Sequence, residues 1–213
     1  MTQQVTCDPR TSLTKSLLGY GVIAGPVYVT VGLAQALTRE GFDLARHPWS
    51  FLANGDLGWI QIVNFVVAGL ACVAAAVGFG RAVGGWASWL IGVYGVSLVG
   101  AAIFRADPAL GFPVGTPDGP GVVTWHGTMH FVCGAVGFLA MIAACVILAR
   151  RFAAEGSTGW AAYSATTGIV FLLAFGSVAA GGGAAWANVA FLAGILIIWG
   201  WLSAVSAHLY RRL

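Results

Sequence analysis

The stretch TWHGTMHF, Thr124 to Phe131, carries two histidines four residues apart where an apolar run begins. Residues at that spacing share one helix face, so His126 and His130 point the same way. Two imidazoles so placed can chelate a divalent metal ion such as zinc, or serve as acid and base. The other reading is a structural pair whose ring nitrogens are satisfied inside a bundle. An ionisable group in a membrane segment is a site candidate by default, because it must face the bundle interior or a wet cavity.

Partners for the pair lie nearby in chain order. Asp107 in FRADPALGFPVGTPDGPG and Asp56 in ANGDLGW supply carboxylates, and Asn64 supplies an amide. With His126 and His130 these form the candidate catalytic set. Trp59, Gln61, Trp125, Arg105 and His47 form the candidate substrate-binding set. Each has a plainer reading. Asp107 precedes a proline and suits an Asx-type turn. Arg105 is either a headgroup-level anchor or the charge partner of an acid. HPWSFLANG around His47 reads as a short surface helix, with Pro48 in its first turn and Trp49 and Phe51 facing lipid. Ser50, Thr124 and Thr128 become nucleophiles only where a histidine reaches them.

These residues must be positioned by membrane helices. Of the 213 residues, 59% are hydrophobic and 8% are charged, against about a quarter charged in soluble domains. Crossing the hydrocarbon core takes about 20 apolar residues. Breaks at charges, Gly and Pro delimit six spans, near 16–37, 58–80, 86–104, 123–149, 159–181 and 185–208. The expected fold is all-α, one transmembrane domain over 1–213, a bundle of six helices with a short interfacial segment between the first two. Pro26 predicts a kink in the first span rather than a break. The 31 glycines read mostly as close-approach positions between helices, and GGGAA at 181–185 as a turn. The N-terminal MTQQVTCDPRTSLTK is too polar for a cleavable signal peptide. Cys7 falls in that tail, while Cys72, Cys133 and Cys145 fall in apolar runs as small packing residues.

Of the ten Lys and Arg residues, seven (Arg10, Lys15, Arg81, Arg150, Arg151, Arg211 and Arg212) share one side if both termini are cytoplasmic, against Arg39, Arg46 and Arg105 outside. That is the orientation the positive-inside rule predicts. Trp49, Trp59, Trp125 and Trp186 then fall near the outer boundary. His208 lies at the opposite end, beside Tyr210 and Arg211, as an interfacial histidine, so no facing pair for a bis-histidine haem is visible.

A weak internal repeat relates spans two and four. WIQIVNFVVAG and WHGTMHFVCGA align on Trp59 and Trp125, which sets Asn64 on His130 and places both at one depth. At 1.5 Å per residue His130 lies about 10 Å in, in the outer third of the bilayer.

Net charge of +3 is too small for a nucleic-acid partner. No Walker loop, GxSxG elbow, Cys-x-x-Cys or run of gating arginines occurs. The expected partners are membrane lipids and an apolar small molecule, and the only cofactor suggested is a divalent metal on His126 and His130. The expectation is that these two face one polar cavity shared with Asn64 and Asp107.

HPWSFLANGDLGWIQIVNF, FRADPALGFPVG and HGTMHF, in this order across six spans, resemble a bacterial and archaeal membrane family known as domain of unknown function 998. The resemblance implies a six-helix bundle with its shared polar residues on the outer side, and brings no established activity. More distantly, the His-x-x-x-His pair in a helical bundle is similar to that of membrane hydrolases that bind zinc with three histidines and an aspartate. Two functions fit: an intramembrane hydrolase or isomerase/cyclase acting on a lipid-like or isoprenoid substrate, or a binding or transport protein for a headgroup or ion.

Overall fold

A computed structural model describes residues 8–213; Cys7 and the polar residues before it lie outside the described residues. The described chain is all-helical: α1 Pro9–Thr38, a 3-10 helix at Trp49–Ala53, α2 Gly58–Ala82, α3 Trp86–Ile103, α4 Trp125–Ala154, α5 Thr158–Gly181 and α6 Ala185–Arg212. All six α-helices are long and apolar enough to cross a membrane, so the chain is a multi-pass integral membrane protein.

The α1 helix starts well before the span read from hydropathy. Asp8 caps it, accepting from the Arg10 N–H at 3.2 Å, and Pro9 fills the first turn, where no N–H is required. The helix runs unbroken through Pro26.

Each helix packs against its sequence neighbours, and α6 closes the ring against α1. Between lipid-like side chains there is little hydrophobic drive, so close backbone approach holds the ring together. At the α2–α3 crossing, a Cβ on Gly69 would lie 2.6 Å from the Gly95 carbonyl oxygen, and one on Gly95 would lie 2.6 Å from that of Gly69. Only glycine fits both places.

One end of the ring, here the terminal end, gathers the chain ends and their basic residues. Arg81 donates to Thr14 Oγ1 at 2.9 Å, and Arg151 and Arg212 both reach Glu155, at 2.8 and 2.9 Å. The opposite, loop end is covered by residues 39–57 and 104–124. Its 3-10 helix lies where the sequence suggests, but Trp49 and Phe51 do not face lipid. Both are 6% exposed and point inward. The physical reason is an opening inside the ring, which Trp49 enters by lying on the Cβ-free face of Gly32. Arg39 holds this cover in place by donating to the carbonyls of Leu52 and Asn54, with its guanidinium 4.9 Å above the Phe112 ring. Burial pulls the Arg39 pKa below its ordinary value, and nearby Asp56 opposes that shift.

Candidate functional site: an aromatic cavity with one open imidazole

Beneath the 3-10 helix the ring encloses a cavity of about 200 Å³. Its walls are largely aromatic: Tyr28 from α1, Trp49, Phe65 from α2, Tyr94 from α3, Phe138 from α4 and Phe191 from α6. Trp199 backs this wall, stacked on Tyr28 with centroids 4.8 Å apart and 5.5 Å from Tyr94. Phe131 of α4 and Val178 of α5 also line the cavity although they are 57% and 43% exposed. The cavity therefore opens sideways between α4 and α5, toward the lipid-facing surface.

His130 is the imidazole on this wall. It is 6% exposed. Its Nδ1 lies 2.8 Å from the Phe104 carbonyl oxygen and 3.2 Å from that of Ala101, at the end of α3. Two carbonyls can only accept, so Nδ1 carries the proton, and in the neutral ring Nε2 keeps its lone pair. Among the described residues Nε2 has no hydrogen-bond partner, and the imidazole lines the cavity. The Phe65 ring lies edge-on, 6.3 Å away.

His126 does not share this cavity. It is exposed, with its ring 4.1 Å from that of Trp125 and 5.7 Å from that of Phe104. The expected common site for the two histidines is thus corrected. His126 stands in the first turn of α4 and is exposed, whereas His130 one turn on is buried against the end of α3.

Asp107 is likewise engaged elsewhere. Its carboxylate accepts from the Thr124 backbone N–H and the Thr124 hydroxyl, each at 2.7 Å. Thr124 Oγ1 in turn accepts from the Gly127 N–H at 3.2 Å. The carboxylate lies so close over Gly127 that any Cβ there would collide with it. Asp107 is an anion at the N-terminus of α4, where the helix dipole and the free N–H groups favour it.

Asn64 and Gln61 form a separate buried amide cluster. Gln61 Oε1 accepts from Gln35 Nε2 at 2.9 Å and from Asn64 Nδ2 at 3.2 Å, and Asn64 Nδ2 also reaches the Tyr28 carbonyl at 3.1 Å. Both ring nitrogens of His47 are used: Nδ1 accepts from the Asp43 N–H at 2.8 Å, and Nε2 donates to the Leu110 carbonyl at 2.9 Å. His47 ties the two loops together. Trp59 and Trp125 are 61% and 65% exposed, and Asp56 and Arg105 are exposed; none of them lines the cavity. Among the described residues, no group of three or more His, Cys, Asp or Glu side chains could hold a metal ion.

Reasoning from sequence allowed that aromatic residues line a dry pocket but did not name Tyr28, Phe65, Tyr94 or Phe138, because a single Tyr or Phe in an apolar span carries no signal until the facing helices are known. Tyr28 and Tyr94 are 5% and 1% exposed. A tyrosine deep in a span, whose hydroxyl needs a partner, was the available clue.

No curated protein and no solved structure matches this chain. The family described as protein of unknown function (DUF998) matches residues 22–208, and the chain belongs to that family.

Proposed function

We propose that this protein is an intramembrane enzyme, an isomerase or cyclase that holds a lipid-like or isoprenoid molecule in the aromatic cavity and moves a proton on it with His130 Nε2. The observation that carries the reading is a buried imidazole with one nitrogen tied to backbone carbonyls and the other open to an apolar chamber. Nε2 accepts a proton from one carbon of the ligand, and the imidazolium, after exchange with water, gives a proton to another carbon, so no reactant is consumed on balance. The aromatic walls supply large apolar faces against which such a ligand packs. A cavity of about 150 Å³ holds benzene. At about 200 Å³ this one takes a ring or branched unit of somewhat greater size, and a longer chain leaves through the lateral opening.

We also propose that both termini are cytoplasmic and that the cavity opens at the outer leaflet. The basic residues gathered at the terminal end support this orientation.

The test is to purify the protein in a mild detergent, extract it with organic solvent and identify the retained apolar molecule by mass spectrometry. That molecule is then incubated with fresh protein and with His130→Gln. Turnover lost in the variant at unchanged melting temperature supports the enzyme. Retention of an apolar molecule without turnover by either protein favours a binding protein instead.

A further inference from the structure

Toward the loop end the cavity wall changes character. Arg46 and the first turn of α6, at Ala184, Ala187 and Asn188, line it there. Asn188 Nδ2 donates to the Leu44 carbonyl at 2.9 Å, which fastens that turn to the segment carrying Arg46. α6 starts at Ala185 behind the uncapped Ala184, and the backbone N–H groups of the lining residues Ala184, Ala187 and Asn188 already donate to the Gly181 and Ala184 carbonyls. Trp49, 6% exposed, lays its ring on the same wall, with its indole N–H buried away from the cavity. Arg46 has a partner, Asp118 at 3.1 Å, but their side chains are 44% and 85% exposed, and such surface pairs are weak and exchangeable. The Arg46 guanidinium is thus a cation at one end of a largely apolar wall, and a guanidinium, which only donates, pairs best with a carboxylate or a phosphate.

Resting on the ligand reading of the cavity, we propose that its ligand is a single-chain amphiphile with an anionic head, a carboxylate or a phosphate. Arg46 holds the head at the loop end, and the tail lies among Tyr28, Phe65, Tyr94 and Phe138. The guanidinium then meets an acceptor-only group, and His130 meets the tail.

The probes are cis-parinaric acid and its methyl ester, which share one tail, bound to the full chain in phosphatidylcholine nanodiscs and followed by energy transfer from tryptophan. A charged hydrogen bond corresponds to roughly a tenfold difference in affinity, so the acid binds about tenfold tighter than the ester. Arg46→Gln brings the acid to the level of the ester and leaves the ester unchanged. Asp118→Asn frees Arg46 and tightens the acid alone, whereas a merely structural Arg46–Asp118 pair would give no such gain. Decyl phosphate and decanoate compete for the acid site, and the stronger competitor identifies the head. Equal binding of acid and ester overturns the anionic head while leaving the cavity reading intact. Binding of neither overturns both.

Discussion

An imidazole's chemistry depends on which nitrogen is left free, and at His130 the backbone of α3 makes that choice. The carbonyls of Ala101 and Phe104 fix the proton on Nδ1 and hold the ring plane, so Nε2 needs no other support. Asp107 contributes by a different route, since it orders Thr124 and the start of α4, four to six residues before His130. Replacing Asp107 by Asn turns one acceptor oxygen into a donor facing the Thr124 N–H. Loss of such a cap costs about 1 kcal/mol, so detergent-solubilised protein should melt lower while ligand affinity at the cavity stays the same; a loss of binding at unchanged melting would make Asp107 part of the site instead. His130 was legible as a candidate because a histidine inside a span needs a reason. The separation of His126 from it was not, because residues four apart share a face but differ by a helical turn in height. That turn is the difference between bonding the end of α3 and lying exposed against the Phe104 and Trp125 rings.

The hairpins α1–α2 and α3–α4 use one device twice. Asn64, in the second turn of α2, donates to a carbonyl of α1, and His130, in the second turn of α4, donates to carbonyls of α3. The alignment of Trp59 with Trp125 therefore relates two side chains that each lock a helix to the one before it. The aromatic residue that follows, Phe65 or Phe131, lines the cavity at both repeats, and at the second the imidazole does as well. The same scale sets the tolerance of the α2–α3 crossing. Gly69→Val would drive methyl groups into the Gly95 carbonyl, and overpacking of this kind costs roughly 1–3 kcal/mol. The expected readout is a lower melting temperature, with Gly92→Ala on the same hairpin as a mild control because its Cβ would meet only Ala76 at 3.5 Å. Helix number and type were legible from apolar length. The start of α1 was not, because a polar capped turn carries no hydropathy signal. Nor was the inward turn of Trp49, because an aromatic residue next to a proline reads alike at an interface and in a plug.

Closure of α6 on α1 makes a chamber out of six antiparallel neighbours, and nothing local in the chain announces it. At the terminal end Glu155 joins α4 to α6 through Arg212 and also pairs with Arg151. The Arg212 hydrogen bond, with help from Arg151, holds its pKa below the ordinary 4.5. A carboxylate depressed in the fold stabilises fully above its ordinary value and loses that contribution as pH falls through the lowered one. Hydrogen-exchange protection at the ends of α4 and α6, taken relative to the intrinsic rate at each pH, should therefore fall below about pH 4.5, and Glu155→Gln should show the lowered protection already at neutral pH; an unchanged profile would mean the ion pairs hold nothing. For orientation, a single thiol at position 118 in an otherwise cysteine-free variant is expected to react with an impermeant reagent in intact cells. Reaction only after lysis would invert the topology.

The central claim, a proton moved on an apolar ligand by His130, is most directly tested by isotope. Protein in nanodiscs made with the lipids of its own host membrane is incubated in deuterated water, and the apolar lipids are then examined by mass spectrometry. The account predicts that one lipid species gains deuterium at carbon with the unaltered protein and gains none with His130→Gln, the two proteins melting alike. Equal incorporation by both, or none by either with the ligand present in the cavity, would contradict it.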